Sequence, residues 1–321
     1  MPNMNKKNSH GQSLFSDFEK EKLFKHFPKG VITFDLETTG LSPTFDHIVE
    51  ISALKMTPSE ESVFSTLVHP PIKIPEKVIA IHGITDSMVE NAPEREEVLT
   101  KFRDFIQNMP LIAHNALFDI GFMAQNFSQL NIPFSSNPVY CSVKLSRKVF
   151  SNFPSHKLSF LVKKLDIPLE NHHRAFDDAI ACLKVFIKGL SKMDQDGLNP
   201  KTQTSFLKEA YQLNFKDFAI KSFSGLSTHH NTLKKSLRDG NLVEIKYNGG
   251  SQKNKFRPIR PISVIPRPQG LSLYAHCLQT DLFKFYLLKK IPEIKKLKKE
   301  DEEIWKKKLE DKQAEKEKKI K

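Results

Sequence analysis

The stretch VITFDLETTG, residues 31–40, limits the fold of this chain more than any other. Its apolar and β-branched run, closing on a glycine turn, reads as a buried strand. A strand has a period of two, so Asp35 and Glu37 project from one face while Phe34 and Leu36 project from the other. Two carboxylates held side by side at the end of an apolar strand repel each other. Such a pair calls for a compensating positive charge, and a divalent cation is the usual one. Taken alone, the pair also fits a solvated strand end.

The segments around it set the fold class. HIVEISALKM (47–56) and VFSTLVHP (63–70) read as two further strands, so the region opens as an antiparallel meander. PEREEVLTKFRDFIQN (93–108) carries Val98, Phe102, Phe105 and Ile106 at helical spacing. PLIAH (110–114) is a short buried strand, and a helix is expected from about Ala116 to Leu130. HKLSFLVKKLDI (156–167) is another helix, and the one after NHH runs to about Leu190. Strands followed by helices interleaved with one more strand predict a mixed sheet flanked by helices.

Two more acidic patches lie on these helices. In HNALFDIGF (114–122), Asn115 is placed as a helix N-cap. Asp119 has Ala116, Phe122 and Met123 as its face neighbours, and a carboxylate covered by such residues is costly without a partner. In NHHRAFDDA (171–179), the helix face is defined by Phe176, Ala179, Ile180, Leu183, Ile187 and Leu190. On that wheel Asp177 falls beside Lys184 and Lys188, while Asp178 falls beside Ala175, Cys182 and Val185. Helix phase therefore selects Asp178 as the covered carboxylate and leaves Asp177 in solvent. His173 stands five residues before Asp178, which is not a same-face offset, so it is expected on the loop entering the helix.

FDLETTG, HNALFD and HRAFDDA, in this order and at these separations, resemble the DnaQ-like 3′→5′ exonucleases, in the subclass with four acidic ligands and a histidine. The match covers about Gly30 to Leu190, and IHGIT (81–85) fits a further stretch of that family. The resemblance implies a ribonuclease H-like fold, a five-stranded mixed sheet with helices on both sides. It implies Asp35, Glu37, Asp119 and Asp178 as ligands of two divalent cations, Mg²⁺ or Mn²⁺, and His173 as the general base. It brings the backbone around Thr38 and Gly40 to the 3′-terminal nucleotide and adds His82 and Phe118 as substrate contacts. His82 reads equally well as a turn residue. Where many relatives carry an Asp-Thr pair this chain has Cys141-Ser142, which is not a ligand position, so a nearby helix cap is expected to differ.

From Thr232 the character changes. VEIKY, PISVI, LSLYAHC and FKFYLL are short β-runs separated by NGG and RPQG, the spacing of a small all-β barrel or sandwich preceded by one helix. This part resembles the WYL domain over about Thr232 to Pro292, through Ile245, Tyr247, Arg257, Ile259, Pro261, Leu273, Ala275, Leu288, Lys290 and Ile291. The Trp-Tyr pair that names that family is here Leu271-Ser272, and the usual arginine near the end is here Lys290. The resemblance implies a small SH3-like barrel that binds nucleic acid or a nucleotide-type ligand. Lys255, Arg257 and Arg260 are its expected phosphate contacts. A structural or protein-docking barrel is the other reading.

The expected organisation is an arm with a short helix over 1–28, an exonuclease-like domain over 29–192, a linker with a connecting helix over 193–231, the β-domain over 232–292 and a charged tail over 293–321. From Lys289 to Lys321 there are 14 lysines against 9 acids, a composition that fits a helical or disordered tail. The net charge of +13 favours a polyanionic partner. No apolar stretch is long enough to span a membrane, and the first residues lack an apolar signal core. Three scattered cysteines form no disulfide framework, which fits a reduced, cytoplasmic setting. The function implied by the resemblance is two-metal removal of nucleotides from the 3′ end of single-stranded DNA, with a DNA polymerase as candidate partner. Two alternatives stay open: RNA as substrate, and a non-catalytic nucleic-acid-binding scaffold, against which the complete acidic set and His173 argue.

Overall fold

The apolar segment before Asp35 folds as expected, into the central strand of a sheet. In the computed structural model, which describes residues 13–168, 174–219, 231–250, 253–267 and 269–320, the chain forms two compact units. One comprises Met1–Leu41 and Phe45–Ala219, the other Ser42–Thr44 and Ile220–Lys321.

The first unit begins with α1 (Asp17–His26), started by a capping box in which Ser16 and Glu19 each accept the other's backbone N–H. The meander β1 (Val31–Thr38), β2 (Ile48–Met56) and β3 (Glu61–Leu67) follows, antiparallel throughout. Two short helices, α2 (Glu76–His82) and α3 (Asp86–Val89), lead to α4 (Arg95–Ile106). Then come β4 (Leu111–Ala113), α5 (Leu117–Gln129) and β5 (Pro138–Cys141), with β4 parallel to both β1 and β5. The unit closes with α6 (Ser142–Val149), α7 (Leu158–Lys164), α8 (Ala175–Gln195), α9 (Pro200–Ala210) and β6 (Tyr211–Asn214).

The strand order is β3-β2-β1-β4-β5-β6. On one face Phe34 and Leu36 pack with Phe64, Phe102, Phe122 and Phe127. On the other, Val31, Leu54 and Ile112 pack with Leu183, Phe186 and Leu190 of α8 and Leu23 of α1. A mixed sheet between two helical layers is the ribonuclease H-like arrangement, with one strand more than expected. That strand, β6, arises from the segment 193–231 read as a linker. The connecting helix expected within 193–231 runs from Pro200 to Ala210, and the chain then turns to pair antiparallel with β5. An unpaired β5 edge offers free N–H and C=O groups, and β6 covers it. Phe215 and Phe218 then enter the core.

The second unit holds α10 (Asn231–Asp239), β7 (Val243–Lys246), β8 (Phe256–Ile265), β9 (Ser272–Cys277), β10 (Leu282–Leu287), β11 (Glu293–Lys296) and α11 (Lys299–Ile320). Its five strands form an antiparallel sheet in the order β10-β9-β8-β7-β11. Ile245, Ile259, Val264, Leu273, Ala275 and Tyr286 are buried on one face of it. The segment read as the tail contributes β11 as well as a helix. Trp305 and Leu309 of α11 pack against Leu242, Leu278 and Leu297, so this helix is anchored at its start. No described helix is long and apolar enough to cross a membrane. All three cysteines are buried and free.

Candidate active site

The site is built where β1 outlives its neighbour. β1 pairs with β4 only through Ile32 and Thr33, so its last residues have no strand on that side. Ligands of open α/β sheets bind beyond the carboxyl ends of parallel strands, and the ends of β1, β4 and β5 meet here. Asp35 and Glu37 project from the face covered by α8. That helix is fixed to the same strand by the Thr33 hydroxyl, which donates to the Ala179 carbonyl at 2.9 Å.

The first turn of α8 brings Asp178 to the pair. One carboxylate oxygen from each of Asp35, Glu37 and Asp178 lies within 4.8 Å of the others. Asp178 is buried, and Asp177, one residue earlier, is only half-buried and outside this cluster. Asp119 enters from the other side, on the first turn of α5. It is buried, and its carboxylate accepts the backbone N–H of Leu36 and its own. The free edge of β1 thus supplies a donor that a paired strand would have consumed.

The electrostatics are those of a cluster short of positive charge. Burial raises the Asp35 carboxyl well above its ordinary range, and the charges of Asp119, Glu37, Asp178 and Glu50 raise it further. Glu37 is pushed up to about 8, first by burial and then by Asp178, Glu50 and Asp119, with Arg174 acting in the opposite direction. Burial also raises Asp119, against the pull of its two backbone N–H bonds. Carboxylates that repel one another in this way, all with hard oxygen donors, fit a divalent cation of the Mg²⁺ or Mn²⁺ kind.

Glu50 was not singled out by the sequence reading, yet it organises the site. It sits on β2 directly across from Glu37 and is 4% exposed. Its carboxylate accepts from Arg174 Nη2 at 2.8 Å, from Arg174 Nε at 3.4 Å and from the Ala175 backbone N–H at 3.1 Å. Arg174 is the N-cap residue of α8 and makes no side-chain cap of its own. The helix therefore takes its cap from a carboxylate on another strand, which satisfies an orphan N–H and complements the helix dipole. A charged residue inside the apolar run IVEISAL was the available signal. Its partner becomes visible only once the β1–β2 register is known.

The remaining expectations divide. His173 and His172 lie outside the described residues. Thr38 is buried and its hydroxyl donates to the Gly40 carbonyl at 2.6 Å, shaping the turn after β1. A Cβ at Gly40 would stand 2.5 Å from the Asp46 carboxylate, so a larger residue there would displace that side chain. Phe118 is half-buried beside Asp119 and meets the Phe122 ring at 5.0 Å. His82 is buried at the end of α2, where its Nδ1 accepts the Ile84 N–H at 3.0 Å; its described contact serves its own turn. Asn115 does not cap α5: it adopts a left-handed φ of 60°, and the helix starts two residues later. Ser142 opens α6 and is tied to His114 Nδ1 at 2.7 Å, while Cys141 provides no side-chain cap. In the second unit Lys255 and Arg260 are exposed. Arg257 is a correction. It is buried, with its guanidinium over the Tyr247 and Tyr286 rings. Three residues along a strand reverse the face, so Arg257 and Arg260 point to opposite sides of the sheet.

With this geometry in view, comparison with known proteins gives a consistent result. Residues 32–186 match the family model described as Exonuclease. The chain is 33% identical to the "DNA polymerase III PolC-type" of Clostridium perfringens over 81% of its own length and 18% of the relative's. It is 38% identical to that of Staphylococcus epidermidis over 52% of its length and 12% of the relative's. The chain thus spans less than a fifth of these curated relatives. A solved structure of E. coli Exonuclease I in complex with a dT13 oligonucleotide aligns with 85% of this chain and 67% of that one, at 14% identity and a TM-score of 0.48. Residues 32–186 are a domain of the DnaQ-like exonuclease family.

Proposed function

We propose that the chain is a divalent-cation-dependent 3′→5′ exonuclease acting on DNA. The observation that carries this reading is the convergence of Asp35, Glu37 and Asp178 within 4.8 Å, with Asp119 bound to the backbone between the first two. A scaffold that only binds nucleic acid gains nothing from burying mutually repelling carboxylates.

In this reading Asp35, Glu37, Asp119 and Asp178 hold two cations, Mg²⁺ or Mn²⁺. When bound, the cations stabilise charge on the attacking and leaving oxygens of an in-line phosphodiester displacement. The carboxylates would hold the cations that the anionic terminal phosphate needs, and the turn at Thr38 and Gly40 admits the last nucleotide. His173, next in sequence to the anchored Arg174, takes the proton of the attacking water. The water oxygen bonds to phosphorus as the P–O3′ bond breaks. A nucleoside 5′-monophosphate leaves, and O3′ takes a proton from solvent, so the shortened strand carries a 3′-hydroxyl. Similarity to relatives named "DNA polymerase III PolC-type" supports DNA as the substrate in this reading and makes a DNA polymerase the candidate partner. The second unit is read as a WYL-like accessory domain, with Lys255 and Arg260 as its outward cations.

Paired 5′-labelled DNA and RNA oligonucleotides of one sequence, incubated with Mg²⁺ or Mn²⁺, test this directly. A ladder shortening from the 3′ end of DNA is expected. A ladder on RNA alone would reverse the substrate assignment, and intact strands with both metals would remove the activity.

A further inference from the structure

The outer face of the second unit's sheet carries a cluster of rings that its core does not use. Register places Phe283 across from His276 and Phe285 across from Tyr274, so all four stand on one face. On the other face Leu273, Ala275, Cys277 and Tyr286 are buried, Lys284 is half-buried and Leu282 is exposed. The outer rings lie nearly parallel. His276 and Phe283 are 4.7 Å apart with planes at 22°, Tyr274 and Phe285 4.8 Å at 31°, and Tyr274 and Phe283 5.8 Å at 28°. Phe283 is 57% exposed. The His276 ring is held by Asp281 at 2.8 Å.

Cations border the rings. The Arg267 guanidinium lies 4.4 Å from the centroid of Phe285, and Arg260 is exposed across from His276. Further along the same face Lys295 and Lys246 sit over Phe256, at 4.2 Å and 5.7 Å. Of the acids on this face, Asp281 is engaged by His276 and Glu293 by Lys295 at 3.0 Å, leaving Glu244 among the described residues. Residues 231–298 hold fifteen lysines and arginines against four acids, which is most of the excess charge of the chain.

We infer that this face is a stacking site for the unpaired bases of single-stranded nucleic acid, with the exposed Phe283 ring against the bases, Tyr274 and Phe285 stacked behind it, and Arg260 and Arg267 on the phosphates. One exposed ring on a column of half-buried and buried rings, bordered by guanidinium groups, suits a ligand with alternating planar and anionic parts. An apolar protein partner would use the rings and leave the cations unmatched; an anionic membrane surface would use the cations and leave the parallel ring planes unexplained. The inference rests on the nucleic-acid reading proposed above, but not on catalysis.

Binding is measured on the full chain in EDTA, where cleavage does not intervene. The probes are a fluorescein-labelled oligothymidylate and an abasic strand of equal length and charge. Wild type is expected to bind the oligothymidylate roughly tenfold tighter than the abasic strand. Phe283→Ala should lose about tenfold in affinity for oligothymidylate and little for the abasic strand, while Phe283→Tyr keeps the preference. The exposure of Phe283 makes it the variant that retains the fold, which a melting curve verifies. Equal binding of both strands by wild type, or unchanged binding by Phe283→Ala, overturns the stacking site even if the chain is an active nuclease. A base preference lost with Phe283 upholds it even if no cleavage is found.

Discussion

Replacing Glu50 by Gln tests the anchor at the head of α8. The substitution keeps the volume and one accepting oxygen but turns an amide NH₂ toward the Arg174 guanidinium or the Ala175 N–H. What is lost is the charge on bonds of 2.8 Å to Arg174 and 3.1 Å to Ala175. Hydrogen bonds to charged groups contribute about 1.5–3 kcal/mol each. The Arg174 side chain is 43% exposed and recovers part of its share from water, so the expected cost is about 2 kcal/mol. For a unit of this size that is roughly 4–8 °C of melting temperature. Glu50 also repels Asp35 and Glu37, so removing its charge changes the cation requirement whatever its positioning role. The two effects separate at saturating cation. If Glu50 holds α8 and Asp178 in register, kcat on labelled single-stranded DNA falls about 10–100-fold even with excess Mn²⁺. If it acts only as a nearby charge, kcat recovers fully once cation is raised, and the anchor is refuted. A cycle of Glu50→Gln with Arg174→Ala should give a coupling of about 1–3 kcal/mol.

Asp178→Asn should lower kcat by at least about 10³-fold, and Asp177→Asn should stay within about threefold of wild type, measured on the same DNA. The cation-free protein should melt lower as pH rises from about 5 toward 8. Glu37 is held near 8 and Asp35 and Asp119 are raised as well, so the folded state keeps protons that the unfolded state releases. Stability is then greatest below the ordinary carboxylate range and is lost with a slope of up to about 1.4 kcal/mol per pH unit for each such group. Calorimetry in EDTA reads this, stability rising over that window would contradict it, and added Mg²⁺ should flatten the slope.

Periodicity made much of this site legible before any coordinates. A period of two put Asp35 and Glu37 on one face, and helix phase preferred Asp178 to Asp177; both placements are those of the structure. What periodicity does not carry is which strand edge runs out. The bond from Leu36 N–H to Asp119 depends on β1–β4 pairing ending at Thr33, and the role of Glu50 depends on register across from Glu37. β6 was hidden for a related reason. The connecting helix ends at Ala210 and the next residues pair with the edge of β5, a long-range contact that periodicity does not carry. Composition groups Arg257 with Arg260, whereas strand phase puts them on opposite faces of β8.

The most direct test of the central claim, that the carboxylate cluster is a cation site, is a Mn²⁺ titration followed by electron paramagnetic resonance. The wild-type chain at neutral pH should bind Mn²⁺, and Asp35→Asn and Asp178→Asn should each weaken that binding by about tenfold or more while the protein stays folded. Unchanged Mn²⁺ affinity in both variants would contradict the account.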